Sequence, residues 1–432
     1  MKRLPCCLAR VCVQRSPSAI RSLSSSCPIS YRYTPEQISL LPPTPTRPIV
    51  YVVGGLYGNP YALDSILHMA SLESAPVTLI FNGDFNFFNV SRSCFSRVND
   101  VVLDPSSRAS SAIIPLQGNV EVEISASSSG VGCGCAYPSY VAPSVSSRSD
   151  AIVKALRETS LTHFPVYHRE LAKLPKCLNV DLQGGERLTV VHGDLSSLSG
   201  WSFAAEVLSP PDVELRLALG LEKTAVVTTA VGDDDDDSDS DGALRTDGSL
   251  RATFERAGRP KAVACTHTCL AFSQAFLFPC VVPPPSRVGV VSSLTDVGTT
   301  ETTKTNTKTK TTLLLNNGSA GMSNFFGDSR GVVTRVAPAA LVRRGSDGTR
   351  PRDDDSRGGG RGGTKTLYGR VEGGIAYDAV AVAFDDDKWR REFKQMWPEG
   401  SPAHTSYWGR IKGGVAFWDV KRAARNGFMV FE

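Results

Sequence analysis

Five short polar blocks, each at the end of an apolar run, constrain this chain more than any other feature of its sequence. The blocks are 54–59 (GGLYGN), 83–86 (GDFN), 118–121 (GNVE), 192–194 (HGD) and 266–269 (THTC). An apolar run that ends at a glycine and a polar residue is typical of a buried strand followed by a turn. The carboxyl ends of parallel strands meet at one edge of a sheet, where ligands bind. The blocks therefore predict one polar site built from distant parts of the chain.

The first two blocks enclose the pattern of a helix and a second strand. Four apolar residues recur there at helical spacing, as expected for a helix that covers a sheet. These residues are Leu63, Ile66, Leu67 and Ala70. The apolar run 77–82 follows and predicts the next strand. The order predicts a βαβ unit with parallel strands.

In their order along the chain, the blocks resemble the DxHGN, GDxxDRG, GNHE, HGD and GHxH signatures of the calcineurin-like metallophosphoesterases. The resemblance implies an α/β fold, a four-layer αββα sandwich of two mixed sheets flanked by helices. With 432 residues and 41% hydrophobic content, the chain is long enough to bury one large core of this kind. A single phosphoesterase-like domain is therefore expected over residues 47–432.

Four residues match one of the two metal sites that this family builds. Carried across position by position, these residues are Asp84, Asn119, His192 and His267. One carboxylate, one amide oxygen and two imidazoles form a mixed oxygen and nitrogen set that Mn, Zn or Fe accepts. The resemblance therefore implies one divalent transition metal ion, with Asp84, His192 and His267 as the catalytic residues.

The other metal site of the family is degraded in this sequence. Gly55 and Tyr57 stand where the family has Asp and His, and Cys269 stands where it has its last His. These replacements argue against a second metal ion. Cys269 is kept as an alternative ligand, because a thiol beside a metal is readily deprotonated.

Two functions of different classes fit this mixture of kept and lost residues. In the first, the chain is a divergent phosphoesterase that hydrolyses a phosphate ester through a metal-bound hydroxide, since a single metal still activates water. In the second, it is a non-catalytic binding or regulatory module with at most a structural metal. The complete ligand set favours the first. Val120 in place of a proton-donating His, and Phe88 in place of a phosphate-binding Arg, favour the second.

Each candidate ligand also has a purely local interpretation. Taken alone, Asp84 is explained as a helix N-cap, Asn119 as a left-handed turn residue and His192 as a packed core histidine. Four ligand types in the family's order make a chance match a poor explanation, so the metal-site interpretation is preferred. Asp194, beside His192, is expected to orient an imidazole from outside the ligand set.

The first 35 residues form a basic, Ser-rich leader. They contain six Lys or Arg and no acidic residue, which is the composition of a mitochondrial or plastid transit peptide. A disordered tail on a cytoplasmic protein is the alternative. Without these six, 41 basic residues face 43 acidic residues, a balance that predicts no nucleic-acid partner. The apolar runs are too short for a membrane-spanning helix.

Three compositionally biased segments interrupt the expected domain, near residues 231–247, 296–312 and 343–365. They are an acidic run, a Thr/Lys repeat and a linker of Arg, Asp and Gly, none of which is expected to pack. Regular patterns return as a predicted strand over 375–384 and a predicted helix over 385–397. Three aromatic residues of that helix, at four-residue spacing, are expected to pack on the sandwich. They are Trp389, Phe393 and Trp397.

The cysteines argue for reduced thiols. Seven of the 11 lie outside the leader, an odd number without repeated spacing, which does not suggest a disulfide framework. Cys133 and Cys135 are closer together than the usual zinc-binding pairs. They are interpreted as part of a glycine-rich loop, with a contribution to the metal site as the alternative.

Overall fold

Two β-sheets form the centre of the molecule in a computed structural model of the chain. The structure describes residues 29–126, 135, 137–138, 141–208, 248–280, 308–342 and 365–431. Leader residues 1–28, the biased segments 231–247, 296–307 and 343–364, and Cys133 lie outside these ranges. Residues 308–312, at the end of the expected Thr/Lys insertion, are the start of a strand instead.

The first sheet is a mixed sheet of seven strands. Its spatial order is β12-β10-β11-β9-β1-β2-β3, with β1, β2 and β3 parallel and the others antiparallel to their neighbours. Its strands are β1 (Ile49–Val53), β2 (Val77–Asn82), β3 (Ile113–Leu116), β9 (Gly331–Pro338), β10 (Thr366–Glu372), β11 (Ile375–Val382) and β12 (Met429–Val430).

The second sheet is a mixed sheet of five strands in the order β4-β5-β6-β8-β7. Its central strands β5, β6 and β8 are parallel, and the two edge strands are antiparallel to them. The strands are β4 (Cys177–Asp181), β5 (Arg187–Val191), β6 (Ala262–Cys265), β7 (Phe272–Cys280) and β8 (Lys308–Asn316).

Strand β1 shows how the two sheets and the helices are layered. All five of its residues are buried, as expected for a parallel strand covered on both faces. Because side chains alternate along a strand, Val50 and Val52 join the core that contains the second sheet. Tyr51 and Val53 join a second core that contains the helices. Two mixed sheets with flanking helices confirm the predicted α/β fold class.

Twelve α-helices are found among the described residues. They are α1 (Pro35–Ser39), α2 (Pro60–Ser71), α3 (Arg92–Val102), α4 (Pro105–Ala109), α5 (Asn119–Ile124), α6 (Pro143–His163), α7 (Pro165–Leu171), α8 (Ala205–Leu208), α9 (Gly248–Arg256), α10 (Asp386–Met396), α11 (Pro402–Gly413) and α12 (Val420–Ala423). Across these ranges, no helix combines the length and the apolar character needed to cross a membrane.

Helix α2 completes the predicted βαβ unit. Asn59 caps it by accepting hydrogen bonds from the backbone of Tyr61 and Ala62 at 3.0 Å, and Pro60 occupies the first turn. Leu63 and Ile66 are buried on the predicted face. Because β1 and β2 pair in parallel, the blocks that follow them lie at the same edge of the sheet.

The carboxyl-terminal pattern is also confirmed. The strand β11 and the helix α10 lie where the sequence predicts them, and Asp385 caps the helix through the backbone of Lys388 at 3.0 Å. Trp389, Phe393 and Trp397 are buried in the core that contains β1 and α2. This part of the chain therefore packs against the layer that carries the first two blocks.

Residues before position 47 also contact the body of the protein. Tyr31 is fully buried, and its hydroxyl donates to the Glu123 carboxylate at 2.7 Å. Tyr33 donates to the backbone oxygen of Asp194 at 2.8 Å. The last residues of the expected leader therefore lie against α5 and the loop after β5.

Candidate metal centre

Both sheets deliver polar residues to one place. Asp84 follows β2 and Asn119 follows β3 in the first sheet, while His192 follows β5 and His267 follows β6 in the second. All four are buried; Asp84 is 6% exposed, His192 0% and His267 8%. The structure thus brings together the four residues that the sequence nominates as metal ligands.

The His192 imidazole lies at the middle of this group. Its Nδ1 is 2.7 Å from the backbone oxygen of Asn82, which can only accept a hydrogen bond, so Nδ1 carries a proton. Its Nε2 is 3.3 Å from Asp84 Oδ2 and 3.2 Å from Asn119 Oδ1. Both of these atoms are also acceptors. A proton on Nε2 or on the Asp84 carboxyl, or a bound cation, is therefore needed among the three atoms.

The spacing of these atoms fits a metal ion. Asn119 Oδ1 lies 3.0 Å from Nδ1 of His267, and ligand atoms of Asp84, His192 and His267 all lie within 4.8 Å of one another. Two ligands that are each about 2.1 Å from one ion, at tetrahedral or octahedral angles, lie about 3.0–3.4 Å apart. The three side chains therefore form a candidate metal-binding group.

His267 is held in a packed environment. Its Nε2, the ring nitrogen that does not face Asn119, is buried without a hydrogen-bond partner of acceptable geometry among the described residues. Its ring lies edge-on to His192 at 5.3 Å and to Trp201 at 5.4 Å between ring centres. The imidazole is therefore held by packing on both sides.

The charges of the group depend on one another. Burial opposes ionisation of Asp84, but the neighbouring His192 lowers the pKa of its carboxyl below the ordinary value. Burial likewise disfavours the His192 imidazolium, yet Asp84 raises its pKa. Burial and the proximity of His192 lower the pKa of His267 to about 3, so this ring is neutral at pH 7. A neutral imidazole is the form that binds metals.

Glu121 fixes the loops that carry Asp84 and Asn119, and the sequence did not reveal this role. Its carboxylate accepts the backbone N–H groups of Asp84 at 2.6 Å, Gly118 at 3.0 Å and Asn86 at 3.2 Å. Burial and the Asp84 charge raise the pKa of Glu121 to about 7. The only local signal is a glutamate three residues after Gly118, at the start of α5.

Gly118 allows the two sheets to approach one another. A Cβ atom added there would collide with Asp84 Oδ1 and would lie 2.8 Å from Cε1 of His192. The backbone N–H of Val120 donates to the same Asp84 oxygen at 3.1 Å. Only glycine leaves room for the carboxylate and the imidazole at this point.

A hydrogen bond to Cys135 orients the Asn119 side-chain amide. Its Nδ2 donates to the Cys135 sulfur at 3.3 Å, which leaves Oδ1 facing the two histidines. The Cys135 carbonyl in turn accepts from Nε1 of Trp201 at 3.0 Å. Cys135 therefore contributes to the site indirectly, through the amide, which resolves in part the alternative left open for the Cys133 and Cys135 pair.

The local interpretations of Asp84 and Asn119 are wrong. Asp84 has a backbone φ of 54° and does not cap a helix, whereas Asn119 is the first residue of α5 and is not left-handed. The expectation for Asp194 is also wrong. Its carboxylate accepts the backbone N–H groups of Ser196 at 2.8 Å and Ser197 at 3.1 Å, so it shapes the loop after β5 and orients no imidazole.

Tyr57 and Cys269, which lie where the sequence resemblance places a second, degraded metal site, contact one another. The Tyr57 hydroxyl is hydrogen-bonded to the Cys269 sulfur, which also donates to the His267 carbonyl at 3.2 Å. Burial raises the pKa of both the Tyr57 hydroxyl and the Cys269 thiol. Cys269 does not belong to the group formed by Asp84, His192 and His267. In this arrangement the Cys269 sulfur is hydrogen-bonded to the Tyr57 hydroxyl.

Phe88 and Val120 are both buried in apolar surroundings. Phe88 lies in an aromatic cluster with ring centres 4.5 Å from Phe87, 4.9 Å from Tyr407 and 5.3 Å from Phe393. Val120 is buried in the same core. Buried apolar side chains therefore occupy the two positions at which the sequence resemblance leads us to expect a phosphate-binding arginine and a proton-donating histidine.

No family model and no curated protein matches the chain. It is similar to the solved structure of a hypothetical protein from Pyrococcus horikoshii OT3, with 11% identity and a TM-score of 0.41, covering 82% of this chain and 96% of that one.

A second solved structure is a protein serine/threonine phosphatase from Saccharomyces cerevisiae, described as similar to human phosphatase PP5. It has 13% identity and a TM-score of 0.31 over 78% of this chain and 80% of that one. Because both TM-scores are low, neither structure carries an argument about function.

Proposed function

We propose that the chain is a divergent metal-dependent phosphoesterase that uses one divalent transition metal ion, Mn, Zn or Fe. Asp84, Asn119, His192 and His267 would hold the ion. The observation that carries the proposal is the convergence of Asp84 Oδ2 and Asn119 Oδ1 on Nε2 of His192, at 3.3 and 3.2 Å. Three acceptor atoms at this spacing can hold a cation in place of the proton that would otherwise lie between them.

A phosphate ester is the substrate class that the order of the five blocks supports. A divalent cation, when bound, lowers the pKa of water and polarises a P–O bond. The protein supplies a rigid and largely dry environment for this chemistry, since every proposed ligand is buried. Electrostatic interactions are stronger in such a site than in water.

The remaining contacts prepare the ligands before any ion arrives. The Asn82 carbonyl fixes the His192 tautomer, so that Nε2 faces Asp84. The Cys135 sulfur fixes the Asn119 amide. Partners of this kind orient ligands and raise metal affinity.

The losses at Phe88 and Val120 limit the rate that we expect. Without an arginine or a histidine at these positions, neither can hold the phosphoryl group or protonate the leaving oxygen. An aryl phosphate is therefore the appropriate first substrate, because its phenolate leaves without a proton. Alkyl phosphates are expected to react more slowly.

Hydrolysis of para-nitrophenyl phosphate by the purified full chain tests the proposal. The chain would be stripped with chelator and reloaded with Mn, Zn or Fe, and the rate measured beside that of Asp84→Asn. We expect turnover that requires metal, and a loss of at least a hundredfold in the variant. Asp387→Asn, an exposed carboxylate on α10, is the matched control and should keep the wild-type rate.

A different outcome would favour the non-catalytic function. One equivalent of metal, bound tightly and lost in Asp84→Asn but without turnover of any phosphate ester, would indicate a structural ion. Turnover that persists undiminished in the metal-free protein or in Asp84→Asn would contradict the proposal.

A further inference from the structure

The Tyr57 side chain fills the space beside Gly55. A Cβ atom added to Gly55 would collide with Cζ of the Tyr57 ring and would lie 2.7 Å from the hydroxyl oxygen. Any side chain at position 55 would therefore project into the tip of the phenol. The family's first aspartate, which the blocks place at position 55, has no room in this chain while Tyr57 is present.

Several contacts hold the phenol in this position. Its hydroxyl is hydrogen-bonded to the Cys269 sulfur, and its ring lies 5.8 Å from Phe87 and 5.7 Å from Phe88 between centres. Tyr57 and Cys269 have backbone φ angles of 55° and 58°, in the left-handed region that bulky residues rarely adopt. Such conformations cost energy and persist only when the surroundings fix them.

A fixed positive charge lies against the same pair. The Arg410 side chain extends from α11 and donates to the backbone oxygens of Cys269 and of Ser323, the latter at 3.1 Å. A cation in this position repels a second cation. The structure therefore combines a steric obstacle and an electrostatic obstacle beside Gly55.

We infer that Tyr57 is a built-in plug that occupies the place of a second metal ion and keeps the centre mononuclear. Its partners are Cys269, which binds the phenol in place of a metal, and Arg410, which supplies the positive charge that a second ion would have supplied. This inference rests on the single-cation centre proposed above. It extends that proposal, because it states why the chain cannot gain a second ion at high metal concentration.

Counting metal ions in a restored variant tests the plug. The triple variant Gly55→Asp, Tyr57→His, Cys269→His replaces the plug with the ligand types of the family. Metal content would be measured by elemental mass spectrometry after saturation with Mn²⁺ or Zn²⁺ and removal of free ions. We expect one equivalent in the wild type and two in the triple variant.

Tyr57→Phe is the matched control. It keeps the ring that fills the space but lacks the hydroxyl, so its metal content should stay at one equivalent. Circular dichroism would verify that each variant is folded. If the triple variant does not fold, Tyr57→Gly, which suits the left-handed backbone, would be titrated with Co²⁺.

The Co²⁺ spectrum reports directly on Cys269. With the phenol removed, the sulfur is free to bind the ion, and we expect a sulfur-to-cobalt charge-transfer band that the wild type lacks. One equivalent in a folded triple variant, two in the wild type, or no such band in folded Tyr57→Gly would each overturn the plug. No metal in the wild type would instead overturn the single-cation centre itself.

Discussion

The carboxylate of Glu121 accepts the backbone N–H of Asp84 at 2.6 Å, from the start of one helix to the loop of a neighbouring strand. It accepts two further backbone N–H groups, from Gly118 and Asn86. One buried side chain thus satisfies three donors in the loops that carry the candidate ligands. Buried backbone groups without partners are costly, so this carboxylate has a clear structural role.

Replacing Glu121 by Gln should destabilise the fold. The amide would turn an NH₂ group toward backbone donors, and at least one N–H would lose its acceptor. We expect a loss of about 1–3 kcal/mol in the free energy of unfolding, measured by urea denaturation. Glu158→Gln, on the exposed side of α6, is the control. Equal stability of the two variants would refute the role given to Glu121.

Metal removal should lower the thermal midpoint of the wild type. An ion that binds only the folded state, at a free concentration of 100 times its Kd, stabilises by about 2.7 kcal/mol. Differential scanning calorimetry with and without chelator would measure the shift. His192→Ala should show no shift, whereas His68→Ala, on the exposed face of α2, should respond like the wild type. An identical response to chelator in His192→Ala would show that the ion binds elsewhere.

Gly118→Ala should separate the ligands. The added methyl group would displace the Asp84 carboxylate or the His192 ring, since it cannot fit between them. We expect at least a tenfold weaker affinity for Zn²⁺, measured by competition with a chromophoric chelator. Gly409→Ala, in the middle of α11 with open space around its Cα, should bind Zn²⁺ like the wild type. Unchanged Zn²⁺ affinity in Gly118→Ala would mean that the loop around residue 118 shifts to accommodate the methyl group without separating the ligands.

Cys135→Ala should weaken metal binding without removing a ligand. The Asn119 amide would lose the sulfur that orients it, and amide rotation would turn Nδ2 toward the histidines in part of the molecules. Loss of an orienting partner typically costs about tenfold or more in metal affinity. Cys177→Ala, in β4 of the second sheet, is the control. A Co²⁺ spectrum that changes in Cys135→Ala beyond a simple weakening would show that this sulfur binds the ion directly.

The sequence predicts those features that local patterns encode. The helix between the first two blocks follows from apolar spacing and from Asn59 before Pro60, and α10 follows from acidic residues ahead of a row of aromatic residues. Asp84, Asn119, His192 and His267 could be nominated because the short blocks that contain them, each after an apolar run, resemble the signatures of the calcineurin-like metallophosphoesterases. Parallel strands then bring such ends together whatever their distance along the chain.

The rest depends on contacts between residues far apart, which no local pattern signals. The pairing of Tyr57 with Cys269 spans 212 positions and requires left-handed backbone at two residues that seldom adopt it. Arg410 reaches the site from a helix close to the carboxyl terminus, after all five blocks. Asp194 looked like a partner for an imidazole because it lies two residues from one, yet its carboxylate faces its own loop.

The four candidate ligands are divided equally between the two sheets. Asp84 and Asn119 belong to the first sheet, and His192 and His267 belong to the second. An ion bound by these four residues would cross-link the two sheets. If one sheet shifted relative to the other by about one ångström, the four ligand atoms would no longer surround a single ion. Metal affinity would therefore depend on the alignment of the two sheets. With the ion bound, the two sheets would unfold together.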